Sequence, residues 1–113
     1  MVQVLRAADR PPSRSRTIRF EGAAYGAGIS FFAVDNDPGQ GPGLHVHPYA
    51  EIWVVRSGNA RFVADGVEAN VGPGDIVIVE AGVAHKFTNI GPGRLDVVCI
   101  HDAGTMMQTD IAE

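Results

Sequence analysis

The sequence predicts an all-β fold, an antiparallel β-barrel or jelly roll, and three observations carry that expectation. Short segments alternate apolar and polar residues with the period of two that lines one face of a strand. Clusters of Gly, Pro, Asn and Asp interrupt them roughly every 8 to 12 residues, the spacing of turns in sandwiches and barrels. Glycine-dense links such as Gly22, Gly26 and Gly28 break any helix before it can propagate.

In chain order, residues 1–8 are expected to form a short edge strand or helical turn, followed by an irregular link from Asp9 to Ser15. Thr17-Ile18-Arg19-Phe20-Glu21 alternates as a half-buried strand does. Ile29 to Val34 forms the next strand, closed by the turn formers Asp35-Asn36-Asp37-Pro38-Gly39. Arg56-Ser57-Gly58-Asn59 turns the chain into Ala60 to Ala64, and Asp65-Gly66 is a hairpin signal leading to Val67 to Val71. After Gly72-Pro73-Gly74-Asp75, Ile76-Val77-Ile78-Val79 is apolar at both parities, the pattern of a central strand covered on each side. Gly91-Pro92-Gly93 separates the strand around Phe87 from a last one, Leu95 to Ile100. Residues 103–113 lack a β pattern and suggest a loose helical tail. The expected organisation is an arm over 1–16, one barrel over 17–102 and a tail over 103–113.

Length and composition bound the functions. The chain of 113 residues, 45% hydrophobic, suits a single globular domain. No apolar run approaches the ~20 residues of a membrane-spanning helix. Met1-Val2-Gln3-Val4-Leu5-Arg6 lacks the apolar stretch of a signal peptide, so a cytoplasmic location is expected. The single cysteine, Cys99, excludes an internal disulfide and falls in the apolar run Val97-Val98-Cys99-Ile100, where a buried structural thiol is expected. Charge is uneven: Arg6, Arg10, Arg14, Arg16 and Arg19 are five of the nine basic residues. The remaining body carries four basic against twelve acidic residues, which disfavours nucleic acid as a partner. The arginine-rich start reads as a solvated arm packing along its own acidic body or a partner subunit.

The chemistry concentrates between Gly39 and Asn89. His45, His47 and Glu51 share one parity, so their side chains project to one face of the chain, and imidazole plus carboxylate is a donor set for a divalent transition metal. A further ligand is expected from His85. Three imidazoles and a carboxylate would close a tetrahedral zinc ion, whereas six-coordinate iron(II), manganese or nickel would keep two positions for a substrate. The same parity turns Trp53 inward beside Glu51, and Phe87 and Asn89 beside His85, so these residues are expected at a substrate pocket. Tyr49, between Pro48 and Glu51, is expected at its rim. His101 is expected as a strand-end or surface residue. Asp75, Glu80 and His101 are the candidates for a general base that is not a ligand.

The two segments resemble the two sequence motifs of the cupin superfamily. Gly39, His45, His47, Glu51 and Gly58 meet the first pattern, and Gly74, Gly82, His85 and Asn89 meet the second, with Glu80 where the family usually carries proline. The resemblance implies a jelly-roll barrel holding one metal ion per chain through His45, His47, Glu51 and His85. It also implies a metal-dependent enzyme acting on a small organic molecule, of dioxygenase or isomerase/cyclase type, with Glu51 as both ligand and tuning residue. The alternative is a non-catalytic metal- or ligand-binding module. A homodimer through a sheet face is expected, because a lone barrel would expose one face of Ile76 to Val79.

Overall fold

The computed structural model describes residues 2–113, and among these two five-stranded antiparallel sheets carry the fold. The strands are β1 (Ile18–Glu21), β2 (Ser30–Asn36), β3 (His45–Val46), β4 (Glu51–Ser57), β5 (Ala60–Ala64), β6 (Val67–Val71), β7 (Ile76–Val79), β8 (His85–Asn89), β9 (Leu95–His101) and β10 (Thr109–Asp110). One sheet runs in the order β1-β2-β9-β4-β7 and the other β10-β3-β8-β5-β6. This is the all-β jelly roll that the alternation predicts, built as two facing sheets rather than one closed ladder.

Alternation decides what meets between the sheets. From β4, Trp53 and Val55 point inward and are each 2% exposed, while Ile52 of the same strand is 39% exposed. Val34, Val77, Val79, Leu95, Val97 and Cys99 complete that sheet's inner face, and Ala60 and Phe87 meet them from the other. Burying one such side chain contributes about 1.5–3 kcal/mol. This cluster therefore dominates the stability of the sandwich and fixes its register, because a one-residue slip would turn every one of these groups outward.

Two glycines are required by close approach. Gly58 adopts φ 84° next to the β4 bulge, where the pairing with β9 shifts between Val55 and Ser57. A Cβ there would lie 2.3 Å from the Arg94 carbonyl oxygen. At Gly41 a Cβ would lie 1.9 Å from the Phe87 carbonyl oxygen, so only glycine lets the loop before β3 pass so close to β8.

Three expectations need correction. Ile76 to Val79 forms the edge strand β7, not a central one: Val77 and Val79 are buried, whereas Ile76 and Ile78 are 64% and 69% exposed. The tail contributes strand β10, not a helix, with Thr109 opposite Val46 and Asp110 opposite His45. Lys86 anchors its end by pairing with Glu113. Asp35 and Asn36 belong to β2 rather than to the turn that follows. Among the described residues of the arm, the one regular element is a 3-10 turn, Ala7–Asp9, and the others are irregular.

Candidate metal centre

Both sheets deliver residues to one end of the sandwich. His45 of β3 and His85 of β8 are direct cross-strand neighbours. Glu51 opens β4 in the other sheet, and His47 lies in the link between β3 and β4. All four side chains are buried, at 5%, 3%, 3% and 1% exposure for His45, His47, Glu51 and His85. One donor atom from each lies within 4.8 Å of the others.

Backbone carbonyls orient the imidazoles. Nδ1 of His45 donates to Gly43 O at 2.7 Å, Nδ1 of His47 to Met107 O at 2.7 Å, and Nδ1 of His85 to Val83 O at 2.8 Å. With the proton held on Nδ1, each ring turns an unprotonated Nε2 toward the cluster, the form that ligates metals. Glu51 Oε1 lies 3.1 Å from His47 Nε2 and 3.0 Å from His85 Nε2. Lone pairs facing a carboxylate oxygen at that range repel unless a cation sits among them. His47 Nε2 is also the one buried side-chain polar atom, among the described residues, without a hydrogen-bond partner. The donor set thus fits a divalent cation.

The carboxylate carries the cluster's negative charge. Burial pushes the Glu51 carboxyl up, but the surrounding His101, His47 and His85 imidazoles outweigh burial and hold it well below the usual carboxylate range. Burial lowers His45, keeping its imidazole neutral. For His47, burial is outweighed by Glu51 and the Met107 carbonyl, and its pKa is raised. Trp53 Nε1 donates to Glu51 Oε2 at 2.7 Å, so the carboxylate is held on one oxygen and free to ligate through the other.

His101 stands apart from its expected place. It is 1% exposed, lies opposite Glu51 across β4 and β9, and brings Nε2 to 3.5 Å from Glu51 Oε2. Its Nδ1 is 2.7 Å from the Tyr49 hydroxyl, which accepts from Met107 N at 3.2 Å. A same-parity count along β9 finds it: Leu95, Val97, Cys99 and His101 all point inward.

A cavity of about 920 Å³ opens from this cluster. His45, His47, Glu51 and His101 form its floor, and Phe32, Val34 and Phe87 are apolar wall residues. Tyr49 is not at the rim: it is 8% exposed and stacks on His47 with ring centroids 5.0 Å apart. Trp53 sits behind Glu51 in the core. Asn89 faces its own turn, donating to Asn36 O and Gly93 O and accepting from Gly91 N. Asp75 and Glu80 are exposed turn residues away from the cavity. The turn at Glu80 forms without the family's proline: Val83 N donates to Glu80 O, and Gly82 N donates to His47 O at 2.9 Å, tying the two motifs together.

Comparison with known proteins decides the family. The cupin domain model matches residues 32–101, which include every proposed ligand. This chain belongs to the cupin family. No curated protein sequence matches it. Among solved structures, a double-stranded β-helix protein from Klebsiella pneumoniae superposes with a TM-score of 0.74 at 24% identity, covering 100% of both chains. A recombinant oxalate oxidase solved with glycolate gives a TM-score of 0.75 at 21% identity, over 88% of this cupin and 56% of that chain. Bacillus subtilis oxalate decarboxylase, which holds Mn(II) centres, gives 0.78 at 23% identity, over 92% of this cupin and 30% of that chain. This cupin therefore spans about half or less of the two oxalate enzymes, and at these identities the likeness shows the fold. No helix among the described residues is long and apolar enough to cross a membrane.

Proposed function

We propose that this cupin is a metal-dependent enzyme that holds one divalent transition metal at His45, His47, Glu51 and His85 and transforms a small organic molecule in the cavity above them. The observation that carries the reading is the shared orientation of the three imidazoles: each spends Nδ1 on a backbone carbonyl, the Nε2 atoms of His47 and His85 lie 3.1 and 3.0 Å from Glu51 Oε1, and His45 brings a donor atom within 4.8 Å of the others. Iron, manganese, nickel or zinc matches the donors, and a bound ion would polarise a substrate coordinated through oxygen. A six-coordinate ion with open positions suits dioxygenation or isomerisation and cyclisation. The Mn(II) centres and the glycolate complex of the structural neighbours support an ion and an oxygen ligand of this kind.

The chain's own residues would do the rest. Glu51 is the one anionic ligand, so it sets the charge of the site, and Trp53 fixes its orientation. Phe32, Val34 and Phe87 exclude water from one side of a bound molecule. His101, held by Tyr49, is the titratable side chain beside Glu51 able to hold a proton at Nε2 near the reacting end.

The expected quaternary state is a homodimer. Across its strands the outer face of the β7-bearing sheet pairs Phe20 with Phe31, Ala33 with Val98, Ile52 with both Ile78 and Ile100, and Val54 with Ile76. A second copy of that face would cover this apolar surface.

Aerobic turnover of the iron-loaded protein, screened over catechols, diketones and thiol acids, tests the enzyme. Turnover lost in Glu51→Gln by at least ~10-fold supports it. Stoichiometric metal with no turnover of any compound favours a metal- or ligand-binding module instead.

A further inference from the structure

The N-terminal arm returns to the metal cavity. Arg14, Ser15, Arg16 and Thr17 form part of the wall of the same cavity whose floor is His45, His47, Glu51 and His101. The arm is fixed where it enters β1: Thr17 N donates to Ser15 Oγ at 3.0 Å, and Asp35 N donates to Thr17 Oγ1 at 3.1 Å. Thr17 is thus tied to β2, one residue after Arg16 and three after Arg14.

Charge partners separate them from the other cations nearby. Arg94, also in the cavity wall, pairs with Asp35 and Asp37, and Arg19 pairs with Glu21 at 2.9 Å. Arg14 and Arg16 pair with no carboxylate among the described residues. The cavity wall carries three arginines against the three carboxylates of Asp35, Asp37 and Glu51. With neutral imidazoles it is electrically balanced when empty, and a divalent ion on the floor would leave it two charges positive. The protein body outside the arm is strongly acidic, so this balance is local to the cavity.

We propose that Arg14 and Arg16 make the cavity select anionic substrates, small organic carboxylates with an apolar portion. The carboxylate is drawn to the ion and the arm guanidiniums, and the apolar portion lies on Phe32, Val34 and Phe87. This inference rests on the metal-dependent reading of the site and names its substrate class. Guanidiniums in the cavity wall also steer anions past the acidic surface, an effect that salt weakens.

Calorimetric titration with phenylacetate and with its neutral counterpart phenylacetamide tests it. The proteins are wild type, the Arg14→Gln/Arg16→Gln double variant, and Arg61→Gln, which removes a charge from β5 outside the cavity. Each is titrated zinc-loaded and metal-free. The expected result is a double variant that binds phenylacetate about five-fold more weakly with phenylacetamide unchanged, and an Arg61→Gln protein indistinguishable from wild type. Unchanged phenylacetate affinity in the double variant, an equal loss in Arg61→Gln, or no phenylacetate binding by wild type overturns it. Zinc content scores the metal reading separately. Protein that takes up no zinc but keeps the arginine-dependent preference removes that reading alone, and stoichiometric zinc with an unaffected double variant removes this inference alone.

Discussion

Trp53 Nε1 donates a 2.7 Å hydrogen bond to Glu51 Oε2, joining the largest core side chain to the carboxylate of the candidate metal centre two residues earlier on β4. The two share a face because β4 alternates, and the bond leaves Glu51 Oε1 toward His47 and His85. Folding core and site are thus one structure at this point.

Trp53→Phe keeps most of the packing and removes the donor. Metal affinity is expected to fall by about 10-fold, the lower end for loss of a partner that orients a ligand. A competition titration with a chelator reads this. An affinity equal to wild type would show that the bond does not position Glu51.

Acid should destabilise the metal-free protein. The Glu51 carboxyl is held below its ordinary value of 4.5 in the folded state, so below that pH the unfolded chain binds more protons and stability falls. The contribution is fully present above 4.5 and is lost as pH drops through the lower folded value. His45 adds the same sign below its ordinary 6.5, whereas the raised His47 contributes stability that disappears as pH rises. Denaturant midpoints of metal-free wild type and Glu51→Gln should converge as pH falls below 4.5, and parallel curves would contradict the assignment.

Gly58→Ala should destabilise the sandwich without touching a ligand. Positive φ and a Cβ 2.3 Å from Arg94 O together cost roughly 2–3 kcal/mol. Urea unfolding measures it, and a wild-type midpoint would mean that the bulge relaxes freely.

Ile78→Lys tests the outer sheet face. Ile78 is 69% exposed, so the monomer fold tolerates lysine, while a dimer built on that face should dissociate. Light scattering is expected to give about twice the chain mass of 12.0 kDa for wild type and the chain mass for the variant. A wild type at the chain mass would remove the dimer.

Local pattern made the strands and the inward parity of His45, His47, Glu51 and His85 readable, because both depend on the period of two alone. What it hid depends on which strands become neighbours. Thr109 and Asp110 have no β pattern and become a strand only because β3 offers an open edge. Ile76 to Val79 reads as central because both parities are apolar, yet sheet order leaves it at an edge. Tyr49 joins the site through Met107 and His101, residues more than fifty positions away. The family resemblance, in turn, pointed to the four residues that cluster but not to the arginine arm that reaches the same cavity.

Metal content is the most direct test of the central claim. Wild type and His47→Ala, each equilibrated with manganese and freed of excess by gel filtration, are compared by elemental analysis. The account predicts about one ion per chain in wild type and a sharp loss in His47→Ala, whose β-sheet circular dichroism should remain, since His47 is not a member of the apolar core cluster. Full occupancy in His47→Ala, or no ion in wild type, would contradict the four-ligand centre.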